Sequence, residues 1–264
     1  MTDLQGSLQI ITTPSVLVYI FKGVAFTLVI SVLAVVIGLV FGSLLAMLRN
    51  YCTSPKTRIF KWLSTAYIEI FRNTPLLLWI FIGVVFIPTP GIFNSKMFGL
   101  SSVEVGLMFK ACVALVLFTS SVVAEIVRGG LNSVAQGQFE AGHSQGFSIV
   151  QVMIYIVLPQ AYRAIIPTLL SQVITTIKDS SYLANVAVIE LMSRVRRIMN
   201  AAGNYNGLGT VNVSDVFILF GLAALIYFII NFALSCVVRY MQKRTRQSNR
   251  PVVQTDMTEA VESA

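Results

Sequence analysis

Charge is scarce in this chain. Asp, Glu, Lys and Arg make up only 11% of its 264 residues, against roughly 25% in soluble domains. That scarcity excludes a disordered chain, a charged coiled coil and, in practice, a soluble enzyme. Cysteine is scarce too. Cys52, Cys112 and Cys236 form no CxxC pair, so neither a disulfide framework nor a thiolate metal site is indicated. A phosphate loop of the form GxxxxGK[ST] is missing, and the one glycine-rich stretch, residues 203–209, contains no lysine. The single histidine, His143, has no carboxylate or thiol cluster beside it; it reads as an exposed loop residue and not as a metal ligand. No catalytic pair or triad can be assembled at one depth, which argues against an intramembrane enzyme. The N-terminus lacks the basic region and small-residue cleavage site of a signal peptide, so the first apolar run is expected to be retained.

What the chain has in abundance is long apolar runs. Hydrophobic residues are 56% of the total, and the mean hydropathy is +0.79. A helix needs roughly 20 such residues to cross a bilayer core. Residues 23–48 and 216–238 are uncharged and predict spans one and five. Residues 73–87 predict the core of span two, reaching back into Trp62–Ile70 with a kink at Pro75. Residues 103–127 predict span three, and 164–192 predict span four, interrupted by Lys178 and Asp179. The expectation is an all-α polytopic membrane protein with about five transmembrane helices. Residues 1–15 would form an external segment, 16–245 the transmembrane domain, and 246–264 a polar, disordered cytosolic tail. The formal charge of +8 sits at the ends of the apolar runs, the placement of membrane topology and not of a nucleic-acid surface. With the N-terminus outside, eleven Lys and Arg fall inside and five outside, so the positive-inside rule favours that orientation. The Arg194–Arg197 cluster is its weakest point.

The segment between spans three and four is long, patterned and only partly charged. Leu131 to Gln145 can form one helix, Gly146 can stop it, Ser148 can cap the next, and Pro159 ends or kinks that one. Ala141 and Gly142 remove side-chain bulk from one face, with Phe139 as an apolar anchor and Glu140 as a charged end. Physics alone divides this evenly between a docking helix for a soluble partner and an amphipathic helix lying on lipid.

Here a family resemblance enters. Glu140-Ala141-Gly142, three residues, Gly146, nine residues, Ile156, one residue, Leu158-Pro159 resembles the EAA loop of ABC importer permeases, with Gly142 where the family usually has Ala. Tyr67 to Leu77, Ala124 to Gly130, Ile177 to Leu183 and Glu190-Leu191 are similar to segments of the polar-amino-acid group of those permeases. The likeness covers roughly residues 20–245.

The resemblance implies a transport subunit that is not itself an enzyme and binds no cofactor. ATP and Mg would be held by a partner ATPase. The implied partners are two cytosolic ATPase subunits, a second permease (the same chain or a sister), an external amino-acid-binding protein and the bilayer, with no nucleic acid. Localisation would be the bacterial inner membrane. Phe139, Glu140, Ala141, Gly142, Gly146 and Pro159 would couple to the ATPase. Arg72, Asn73, Thr74, Lys178, Asp179, Ser180 and Ser181 are candidates for the substrate path. Two adjacent charges in a span cost roughly 2.5–3.5 kcal/mol each, so Lys178 and Asp179 either recognise a substrate's charges or fix span four structurally. The substrate would be a polar amino acid, glutamine or glutamate first. An ATP-independent secondary transporter or channel is the alternative, which the intact EAA spacing disfavours. Glu69 with Arg72, and Glu125 with Arg128, have the i, i+3 spacing of local helix pairs. Gly38 and Gly42 form a GxxxG packing face in span one.

Overall fold

The computed structural model describes residues 3–52 and 54–248, with side chains described over 4–52 and 54–243. The elements are α1 (Asp3–Thr12), α2 (Pro14–Tyr51), α3 (Arg58–Arg72), α4 (Leu76–Phe86), α5 (Ser102–Asn132), α6 (Gln136–Ser144), α7 (Ile149–Val152), α8 (Leu158–Asp179), α9 (Leu191–Asn200) and α10 (Val213–Ser248). A π-helical turn, Met153–Val157, joins α7 to α8, and a 3₁₀ segment, Ser180–Val186, follows α8. Among the described residues the one strand-like pairing is an isolated bridge between Met97 and Leu100.

Four helical stretches are long and apolar enough to cross a membrane: Pro14–Tyr51, Ser102–Asn132, Ile149–Val186 and Val213–Lys243. The fifth span requires α3 and α4 together, and these meet at a bend of 110°. The simple kink expected at Pro75 is therefore too mild. Proline has no amide hydrogen and cannot continue α3. The bend is sealed locally: Thr74 Oγ1 donates to the Ile70 carbonyl at 2.6 Å, and Trp79 Nε1 donates to Thr74 Oγ1 at 2.7 Å. At 11 residues, α4 reaches only about 16 Å.

The core is organised around α2 and α5. Pro14 occupies the first turn of α2, where its missing N–H costs nothing. Ser101 and Glu104 form a capping box at the start of α5. Gly38 and Gly42 lie where α2 crosses α5. A Cβ on Gly42 would stand 2.8 Å from the Ala124 amide nitrogen and 2.8 Å from the Ser120 carbonyl oxygen. Those neighbours are backbone and cannot swing away. Gly42→Val is expected to cost about 1–3 kcal/mol through overpacking, read as a lowered melting midpoint in detergent. An unchanged midpoint would show that α2 and α5 do not meet this closely at Gly42.

Span four differs from its expected form. It begins at Ile149, and its helix ends at Asp179. The chain then crosses sideways through the 3₁₀ segment, with Ala187 in the left-handed region at φ 61°, and resumes as α9. Contacts with α2 order the path: Tyr162 meets Ser43, Thr176 meets Ser31, Glu190 meets Thr27, and Arg194 meets Tyr19. Thus α8 and α9 run the same way along α2, as two pieces of a broken helix. Glu190 caps the second piece and does not sit inside the first. The expected single helix over 131–145 is also divided. α5 continues to Asn132, where Ser133 bonds back to the Gly130 carbonyl, and α6 begins at Gln136. Residues 249–264, most of the expected disordered tail, lie outside the described residues.

Candidate functional site

Three regions gather the residues singled out in the sequence. The first is α6 and its exit turn. α6 ends in a Schellman cap: the Phe147 amide donates to the Gly142 carbonyl at 3.2 Å, and the Gly146 amide to the His143 carbonyl at 2.9 Å. The cap needs a residue with positive φ, and Gly146 has φ 81°. The next helix then starts from a capping box of Ser148 and Gln151. Gln160 Nε2 donates to Gln138 Oε1 at 3.0 Å and ties α6 to α8. The result is a short helix held rigidly between two spans, with Glu140, Ala141 and His143 outward.

Gly142 and Phe139 point the other way. Gly142 is buried, and a Cβ there would lie 2.8 Å from Val152 Cγ2 and 2.9 Å from Ile156 Cδ1. Its lack of a side chain lets α6 lie on the floor beneath it, so the bulk removed at Gly142 is removed from the inward face and not from the exposed one that Ala141 shares. Phe139 packs on the cluster of Val127, Leu131, Val152 and Val157, so it anchors α6 to its own protein. Pro159 stands in the first turn of α8 and ends nothing. The π turn before it takes up the clash that its ring would make with the carbonyl four residues back.

The second region is the break in span four. Lys178 is exposed and Asp179 half-buried, and neither has an ion pair within 4 Å among the described residues. Ser180 and Ser181 spend their hydroxyls on the carbonyls of Ile177 and Lys178. Thr168, Thr175, Lys178, Tyr182 and Asn185 are all exposed at helical spacing. This polar stripe is ill suited to lipid. Behind the break, Glu190 is fully buried; it accepts from the Met192 and Ser193 amides, from Thr27 and from Tyr227. Arg194, also buried, donates to the Tyr19 carbonyl at 3.1 Å and lies over the Tyr19 ring at 4.3 Å. Sequence reasoning assigned neither residue a role. The signal available was a lone acid within an apolar stretch, Val186 to Met192. Arg197 pairs with Glu104 at 3.3 Å, so the arginine cluster is partly neutralised locally.

The third region is an ion-pair network that joins α2, α3 and α5. Glu125 receives Arg49 at 2.6 Å, Arg128 at 2.7 Å and Arg72 at 3.6 Å, while Glu69 receives Arg49 at 3.0 Å. The pair Glu125–Arg128 forms as its spacing suggests. Arg72 reaches across to Glu125 and leaves Glu69 to Arg49, so the i, i+3 pair on α3 does not form. Asn73 Nδ2 donates to Glu69 Oε2 at 3.2 Å and joins the same network. Arg72, Asn73 and Thr74 are thus engaged at the α3–α4 bend, apart from Lys178 and Asp179. Lys110, within span three, donates to the Val84 carbonyl at 3.1 Å and satisfies one of the last carbonyls of α4. Among the described residues no three His, Cys, Asp or Glu are grouped to hold a metal ion.

Comparison with known proteins agrees with this architecture. Residues 38–247 match the family model described as binding-protein-dependent transport system inner membrane component. The chain is 36% identical over 222 residues to a probable glutamine ABC transporter permease protein, GlnM, of Bacillus subtilis, covering 84% of this chain and 91% of that one. It is 34% identical over 230 residues to the glutamate/aspartate import permease protein GltK of Escherichia coli O6:H1, covering 86% and 93%. Among solved structures, an amino acid ABC transporter crystallised with histidines aligns with TM-score 0.68 at 26% identity, over 89% of this chain and 98% of that one. With its helical spans, its broken fourth span and its EAA-type segment, the chain belongs to the binding-protein-dependent transport system inner membrane component family.

Proposed function

We propose that this chain is the permease of an ATP-driven importer of polar amino acids, with glutamine or glutamate the first candidates. It would lie in a bacterial inner membrane with its N-terminus outside and its C-terminus in the cytosol. The observation that carries the reading is α6, a capped helix braced between two spans, with Glu140 and Ala141 exposed. Such a helix can pass a push from a soluble ATPase into the spans without unfolding. Two ATPase subunits, holding ATP and Mg, would dock on a pair of permeases through it, and an external binding protein would deliver the substrate. The polar stripe through Thr175, Lys178 and Tyr182 supports a path shared with a second permease, the same chain or a sister. Lys178 and Asp179 present both charges of an amino acid's complement. ATP drives the change of access through the differential affinity of the two states for nucleotide.

The test is co-purification of the tagged chain in mild detergent, with ATP hydrolysis assayed against a panel of amino acids. A stoichiometric ATPase stimulated by one amino acid and its binding protein is expected. Lys178→Met in the same complex should raise KM for that amino acid about tenfold, the scale of one charged hydrogen bond, with subunit stoichiometry kept. No ATPase partner, even after cross-linking at the Glu140 segment, would instead make the protein an ATP-independent transporter.

A further inference from the structure

α3 has three faces. Ser64, Ile68 and Phe71 are buried against the protein. Ile59, Trp62, Leu63 and Ile70 form a second stripe that nothing covers, with Trp62 66% and Ile59 58% exposed. Arg58, Lys61, Thr65, Glu69 and Arg72 form a third, polar stripe at the same helical spacing. A helix with a free apolar face and a free polar face is stable at a boundary between hydrocarbon and water. The 110° bend to α4 fits that placement, because α3 does not continue the line of α4.

The charge at the start of this helix is one-sided. Lys56, Arg58 and Lys61 are exposed, and no ion pair engages them among the described residues. From Cys52 to Ile68 the sequence contains no Asp or Glu. Glu69, the first acid, is already taken by Arg49. Lysine and arginine stems can lie along the apolar stripe while their heads rise to phosphate level. Three cations beside an aromatic anchor in the interfacial plane are complementary to anionic headgroups.

We infer that the N-terminal half of α3, with Lys56, Arg58, Lys61 and Trp62, is a binding surface for anionic phospholipid. On the orientation proposed above, the lipid belongs to the cytosolic leaflet. Through Glu69 and Arg72 the far end of the same helix joins the network on Glu125. A lipid held at one end of α3 therefore bears on the helix that leads into α6.

The experiment uses the full chain reconstituted in vesicles and needs no ATPase. Trp62 and Trp79 are the only tryptophans. In a Trp79→Phe variant, which keeps an aromatic ring to stack on Phe71, the emission reports Trp62. Acyl-brominated phosphatidylglycerol should quench it at least about twofold more than brominated phosphatidylcholine at equal mole fraction, since each cation near an anionic surface adds roughly fivefold attraction. The triple change K56Q/R58Q/K61Q should abolish the preference. Phospholipid retained by the unaltered chain and by the triple variant after detergent extraction gives a second readout, should Trp79→Phe fold poorly. Equal quenching by both lipids, or none by either, overturns the inference. So does a triple variant that keeps the lipid preference, which would place that preference on other residues. These readouts fail separately from the importer reading, because they do not depend on transport.

Discussion

Glu125→Gln is expected to destabilise the protein by about 2 kcal/mol. The carboxylate keeps only 16% of its surface exposed and faces three guanidiniums, those of Arg49, Arg72 and Arg128. An amide of the same shape removes the one negative charge they share. Breaking a fully buried pair costs roughly 3–5 kcal/mol. The arginines here are 22% to 41% exposed, so solvent screening reduces the penalty. Arg72→Gln removes the longest and most exposed contact, at 3.6 Å and 41%, and should cost no more than about 0.5 kcal/mol. Melting midpoints of the two variants in detergent separate the cases. If Glu125→Gln melts where the unaltered chain does, the network is a surface ornament with no part in joining α2, α3 and α5.

If α6 couples the chain to an ATPase as proposed, Gly142→Leu should uncouple uptake from ATP while leaving insertion into the membrane intact. The new side chain would begin 2.8 Å from Val152 Cγ2 and 2.9 Å from Ile156 Cδ1. Val152 is β-branched and held at one rotamer in a helix, so it cannot turn aside. Overpacking of this kind costs about 1–3 kcal/mol, and a nine-residue helix relieves it most cheaply by lifting away. Its exposed face, with Glu140 and Ala141, would then be displaced from the spans. Uptake is expected to fall at least about fivefold, the rate equivalent of the lower end of that cost. Val152→Ala in the same chain removes the nearest struck atom, leaving Ile156 Cδ1, and should restore part of the loss. Wild-type uptake by the single variant would show that α6 need not rest on its floor.

The spans were legible because lipid demands long uninterrupted apolar runs, and residues 23–48 and 216–238 supply them. The extra length of α2, from Pro14 to Tyr51, was not, since Lys22 and Arg49 bound the uncharged run. Gly146 and Ser148 were readable as punctuation because caps are local in sequence. The inward turn of Gly142 depends on Val152 and Ile156, which reach it only after the chain folds back. Pro75 announced a bend but not its 110°, which α2 and α5 set by packing on α3. Glu190 and Arg194 were hidden for a related reason. A carboxylate that caps a helix inside a broken span looks, in sequence, like any stray charge.

The π turn at Met153–Val157 gives the EAA spacing a geometric meaning. A π turn is an α-helix carrying one surplus residue, and each residue of an α-helix advances the azimuth by about 100°. The surplus therefore offsets the phase of α8 from that of α7 by about a quarter turn. One end of this segment must aim the seat beneath Gly142, and the other must aim Thr175 and Lys178. An unbroken helix would lock those two bearings together. The nine residues between Gly146 and Ile156 thus act as a dial setting: deleting or adding one would swing the polar stripe away from its bearing without altering a single side chain on it.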